Sequence, residues 1–142
     1  MAENMGRGTA RIRVENWLDA ELLAAGARKE KPRTVEADAL VDTGAAKFYL
    51  RSSLIRQLGL RQIGEIKSRT MSARLETRKV FAPASVEIQG RTGRYDVVEL
   101  PDSRPNVVGQ IPLEDLDWVV DCRHQKLIPN PEHKHGELSD DF

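Results

Sequence analysis

The chain has 142 residues, with 22 Lys+Arg balanced by 22 Asp+Glu, so its formal net charge is zero. That balance argues against the basic footprint of a nucleic-acid binder, and 39% hydrophobic residues place the chain with folded globules rather than disordered segments. The single cysteine, Cys122, excludes an intrachain disulfide and a Cys-rich zinc centre, and no apolar run approaches the ~20 residues of a membrane-spanning helix.

Residues 1–8 read as a polar, flexible leader without the apolar stretch of a secretion signal, so a cytoplasmic protein with no membrane contact is expected. From Thr9, the residues Ala10, Ile12 and Val14 alternate with Arg11, Arg13 and Glu15, which predicts a half-buried strand. Trp17, Leu18, Leu22 and Leu23 allow a short helix between Asn16 and Ala27, bounded by Gly26 and Pro32. Arg33 to Val41 reads as a second strand, broken by Asp42-Thr43-Gly44, and Phe48-Tyr49-Leu50 resumes it. Ser52 or Ser53 is placed to cap a helix over Leu54 to Leu58, and Gly59 to end it. Ile63 to Val80 alternates and is strongly charged, as an exposed hairpin would be. Val86 and Ile88 alternate with polar residues, Gly90-Arg91-Thr92-Gly93 signals a turn, and Tyr95 to Leu100 is a further strand. A loop over Pro101 to Pro105 leads to a short buried strand, Val107-Val108-Gly109, and a helical turn at Pro112 to Leu116. Trp118-Val119-Val120 and Lys126-Leu127-Ile128 form a last hairpin about Asp121 to His124, and residues 132–142 read as a flexible polar tail. One folded domain over 9–131 is expected, mostly β, a small barrel with one or two short helices.

Asp42 stands out because it follows Leu40 and Val41, which belong in a core. A carboxylate at such an edge costs solvation energy unless donors meet it. Gly44, lacking a Cβ, lets backbone N–H groups approach it. Asp-Thr-Gly is also an ordinary turn composition, so a plain strand-ending turn remains an alternative at this point.

The stretch Ala37-Asp38-Ala39-Leu40-Val41-Asp42-Thr43-Gly44-Ala45 resembles the active-site strand and turn of the retropepsin-like aspartic proteases. Asn106-Val107-Val108-Gly109-Gln110 is similar to that family's second motif, two apolar residues and a Gly. Ile111 to Asp121 resembles the short helix and closing strand of its bacterial single-domain members. The resemblance implies a small closed β-barrel that pairs as a homodimer, each chain supplying one Asp-Thr-Gly to a site on the two-fold axis. It implies an aspartic endopeptidase acting on a peptide or protein substrate, with Asp42 catalytic. Thr43, Gly44 and Ala45 would organise the site, Val107, Val108 and Gly109 would back the turn, and a flap would have its tip at Ala73-Arg74-Leu75-Glu76. Thr43 would hydrogen-bond across the dimer. Ala45 supplies no hydroxyl where relatives often carry Ser or Thr, and Ala46 and Gln110 stand where many retroviral members place an ion pair. The flap stretch Lys67 to Val80 contains no Gly, and Lys47 near the cleft implies a change in the substrate side chains favoured. The alternative within the same fold is a dimeric peptide-binding or adaptor module that does not cleave.

No metal or other cofactor is expected. His133-Lys134-His135 reads as solvated tail, His124 as a turn residue, and Cys122 as structural rather than nucleophilic. Asp115, Asp117 and Asp121 are interrupted by core residues and lack the Gly of a calcium loop. The Lys67 to Lys79 charges lack interleaved aromatics and read as a solvated face rather than a nucleic-acid surface, and Trp17 and Trp118 read as core or interface.

Overall fold

Alternation along the first strand is realised in full: Ala10, Ile12 and Val14 are buried while Thr9, Arg11 and Arg13 face solvent. The computed structural model describes residues 7–69 and 74–133. In chain order the elements are β1 (Arg7–Asn16), α1 (Trp17–Ala24), β2 (Thr34–Asp42), β3 (Phe48–Arg51), α2 (Ser52–Leu58), β4 (Gln62–Arg69), β5 (Leu75–Ile88), β6 (Arg91–Leu100), β7 (Asn106–Val108), α3 (Gln110–Asp115), β8 (Trp118–Asp121) and β9 (Lys126–Pro129). The three short helices among the described residues exceed the one or two expected.

Six strands close on themselves in the order β1-β2-β7-β3-β6-β5, with β5 returning to β1 through Ile12↔Ile88 and Val14↔Val86. Closure removes the open edges that would otherwise invite association. Ile12, Val14, Phe48, Leu50, Val86 and Val97 fill the interior. Among the described residues β4 pairs only with β5, so the β4–β5 hairpin projects beyond the closed sheet, in line with its charged alternation. β8 and β9 form a separate ladder packed on β1. Gly8 belongs to this body rather than to a leader: a Cβ there would meet the Gln125 carbonyl oxygen at 2.5 Å. Among the described residues no helix is long and apolar enough to cross a membrane.

Local expectations are corrected at two places. The first turn of α2 is not capped by its own serines, because the Ser52 hydroxyl donates to the Leu100 carbonyl. Asp102 does the capping from the loop between β6 and β7, accepting from the Ser53 N–H at 2.9 Å. Gly59 ends the helix in the left-handed region at φ 65°. The β5–β6 turn is tighter than Gly90 to Gly93: Gln89 and Gly90, at φ 50° and 89°, form a two-residue loop, with Ile88 opposite Arg91. Gly93 lies inside β6, where the Tyr95 ring occupies the space a Cβ would need.

Candidate active site

The loop 43–47 joins β2 to β3, yet these strands do not pair with each other. β7 lies between them, parallel to β2 through Leu40↔Val107 and Val41↔Val108, and antiparallel to β3 through Phe48↔Val108 and Tyr49↔Val107. Buried Asn106 locks this insertion, its Oδ1 accepting from the Arg51 N–H at 2.9 Å and its Nδ2 donating to the Asp38 carbonyl at 3.1 Å. Immediately after β7 the chain grips the loop itself. Gly109 N–H donates to Lys47 O at 2.7 Å, Gln110 N–H to Ala45 O at 2.8 Å and Ile111 N–H to Ala46 O at 3.0 Å. Only glycine permits this approach, because a Cβ at 109 would meet Lys47 O at 2.5 Å and Ala45 O at 2.7 Å. The two motifs read separately from the sequence are therefore one backbone unit.

Asp42 ends β2 half-buried, and its Oδ1 accepts from the Gly44 N–H at 2.8 Å. That bond orients the carboxylate within its own turn, which the Ala45 N–H closes onto the Asp42 carbonyl at 3.1 Å. Thr43 and Gly44 are exposed and Ala45 is half-buried.

The two ends of the loop border different cavities. Thr43 lines one of about 650 Å³ together with Gln110, Asp117, Trp118, Asn130 and His133. Two buried polar atoms of residues in its wall, Gln110 Oε1 and Trp118 Nε1, have no hydrogen-bond partner. Such atoms are costly when left unmade. The reading of His133 as solvated tail is corrected here. Its Nδ1 lies 2.8 Å from both carboxylate oxygens of buried Asp117, which also accepts from Asn130 Nδ2 at 3.1 Å. Burial alone would raise the Asp117 carboxyl, but the bonds from His133 and Asn130 prevail and hold it below the usual range. Asp117 adopts φ 62°, and Arg91 donates to its carbonyl while stacking on Trp118 at 4.1 Å. The other carboxylates of the sequence cluster are also engaged, Asp121 by the His124 ring at 2.7 Å and Asp115 by the Tyr95 hydroxyl. Burial, then that bond, pushes the Tyr95 hydroxyl well up.

Lys47 borders the second cavity, of about 500 Å³, beneath the projecting hairpin, with Phe48, Ile66, Val80, Ile111 and Pro112. Of the proposed flap tip, Ala73 lies outside the described residues; Arg74 is exposed, and Leu75 and Glu76 begin β5 opposite Arg69 and Ser68. Leu75 is 61% exposed, and Glu76 accepts from Arg78 at 2.6 Å.

A sequence model of the aspartyl proteases matches residues 31–111, more than half of the chain, from the approach to β2 through both motifs to the start of α3. Comparison with curated protein sequences gives no match. The matched span contains the Asp-Thr-Gly turn, the projecting hairpin and the glycine that clasps the turn from behind, and the chain belongs to the retropepsin-like aspartyl protease family.

Proposed function

We propose that the protein is an aspartic endopeptidase that works as a homodimer, with Asp42 of each copy forming the catalytic pair. The observation that carries this reading is the Asp42 turn itself: a carboxylate oriented by the Gly44 N–H and clamped through three backbone bonds from 109–111. A plain strand-ending turn requires no such clasp. The chain contains one Asp-Thr-Gly, so a two-carboxylate site needs a second copy, and isologous association brings like residues together on a two-fold axis. Exposed Thr43 borders the cavity of about 650 Å³ with Gln110, Asp117 and Trp118, and a copy paired at the Asp42 turn would lie against it.

The chemistry follows from two carboxylates held close. They share one proton, because both cannot ionise cheaply. The ionised carboxylate takes a proton from a water molecule as its oxygen attacks the scissile carbonyl carbon. The protonated one donates to the carbonyl oxygen. Collapse of the tetrahedral diol, with proton transfer to the departing nitrogen, yields the two peptide products and needs no covalent intermediate on the protein.

A second reading, a dimeric module that binds peptides without cleaving them, is favoured by the Gly-free stretch Lys67 to Val80 and by the Ala46 and Gln110 positions. One experiment separates the two. Wild type and Asp42→Asn are incubated with a mixed peptide library beside sedimentation of both proteins. The enzyme reading expects a dimer in each case and cleavage by wild type alone. A monomer that cleaves refutes the shared pair, and cleavage by a clean Asp42→Asn preparation refutes the role of Asp42.

A further inference from the structure

The cavity of about 500 Å³ at the end of the active-site loop is apolar in its floor and charged at its rim. Phe48, Val98 and Pro112 are buried in the floor, while Ile66 and Val80 close the side under the hairpin. Ile111 stands at the mouth, 54% exposed, an open aliphatic side chain beside buried apolar walls. Such a surface gains by covering a methylene stem.

Three charged residues border it: Lys47, Arg94 and Asp96. Arg94 is drawn to Trp17, its guanidinium 4.6 Å from the ring centroid. Asp96 offsets one positive charge, leaving the rim one charge positive. Among the described residues no carboxylate lies within ion-pair distance of the Lys47 ammonium. The Lys47 backbone is fixed, its carbonyl accepting from Gly109 N–H at 2.7 Å and its N–H donating to the Tyr49 hydroxyl at 3.3 Å. An unmatched cation is thus anchored at the junction of the Asp42 loop and the apolar floor.

We infer that this cavity receives an acidic side chain of the substrate, a glutamate close to the scissile bond, whose methylenes lie on the apolar floor and whose carboxylate meets Lys47. This rests on the endopeptidase reading for the path of the peptide, but it is a statement about binding. A lysine in the same place repels the rim, and a leucine fills the floor while leaving Lys47 to water.

The test uses peptides of one sequence in which Glu, Gln or Lys is placed in turn at each position flanking the scissile bond. Binding is read by competition on Asp42→Asn protein, and kcat/KM on the protein with Asp42 intact, each with and without Lys47→Glu. At one position Glu binds about fivefold more tightly than Gln, the upper end for an exposed ion pair, and Lys binds more weakly than Gln. Lys47→Glu inverts that order, and raising salt from about 0.1 M to about 1 M shrinks it. Absence of a Glu preference at every position, or one that survives Lys47→Glu, overturns the inference. Peptides that bind with the Lys47-dependent preference but are never cleaved leave the pocket standing and defeat the endopeptidase reading. Cleavage with no such preference does the reverse.

Discussion

Gly109→Ala is the sharpest test of how the Asp42 turn is held. The added Cβ would lie 2.5 Å from Lys47 O and 2.7 Å from Ala45 O, roughly 0.9 Å short of ordinary contact at the tighter position. Both obstacles are backbone atoms of the loop, so no side chain can swing aside. Either loop 43–47 or the start of α3 must move. A shift of that size stretches the Gly109–Lys47 bond of 2.7 Å and the Gln110–Ala45 bond of 2.8 Å beyond hydrogen-bond range. Overpacking costs about 1–3 kcal/mol and each of the two lost bonds about 1 kcal/mol, giving a destabilisation of ~3–5 kcal/mol. For a domain of this length that corresponds to a fall in Tm of ~10 °C. The assay is thermal unfolding at fixed protein concentration, since association would make Tm concentration-dependent. Gly64→Ala is the control, because a Cβ there meets nothing within 4 Å and φ lies outside the left-handed region. It should change stability by less than ~0.5 kcal/mol. A Gly109→Ala protein that melts within ~2 °C of wild type would refute the clasp.

Gly44→Ala is expected to behave oppositely, because its Cβ would press only on Asp42 Oδ1, at 3.1 Å: Tm stays within ~2 °C of wild type while kcat on a cleaved peptide falls by about tenfold or more. Asn106→Ala leaves the Arg51 N–H and the Asp38 carbonyl without partners and should cost ~2–3 kcal/mol in urea unfolding, whereas a loss under ~0.5 kcal/mol would contradict its bridging role. Asp19 is held below the ordinary carboxyl value of 3.8 by its bonds from Arg33, which outweigh burial. Its folded pKa therefore lies below its unfolded one, so its stabilisation is present above the unfolded value and lost as pH falls through the folded value. Asp19→Asn should accordingly show a shallower decline of the urea midpoint between about pH 4 and pH 2 than wild type, and parallel curves would count against that linkage.

The elements legible in the sequence are those whose cause is local. Alternation in Ala10, Ile12 and Val14 marks a strand because one face of that strand meets the core, and Gly59 marks a helix end because φ 65° favours glycine. The turn at Gln89 and Gly90 has no local signal at its first position, because Gln89 has no preference for the φ of 50° it takes between Ile88 and its partner Arg91. The cap of α2 is not legible because its acceptor, Asp102, lies 49 positions from Ser53 and no local pattern announces it. His133 looks like tail because its neighbours are polar; the fold brings it to Asp117, 16 positions away, and makes it part of a cavity wall.

The Asp42 turn divides the same way. Asp42-Thr43-Gly44 can be read because the carboxylate and the N–H that orients it are two residues apart. What keeps the turn in place cannot be read from those residues. It depends on Asn106 and Gly109 arriving between β2 and β3 after more than fifty intervening positions, and on backbone atoms that carry no sequence signal of their own. The side chain at 109 matters through its absence, and the one at 106 through two backbone groups it satisfies on strands that do not pair with each other. A short motif of this kind can therefore identify an acid, but whether the acid is positioned depends on a second, distant segment that excludes a single methyl group.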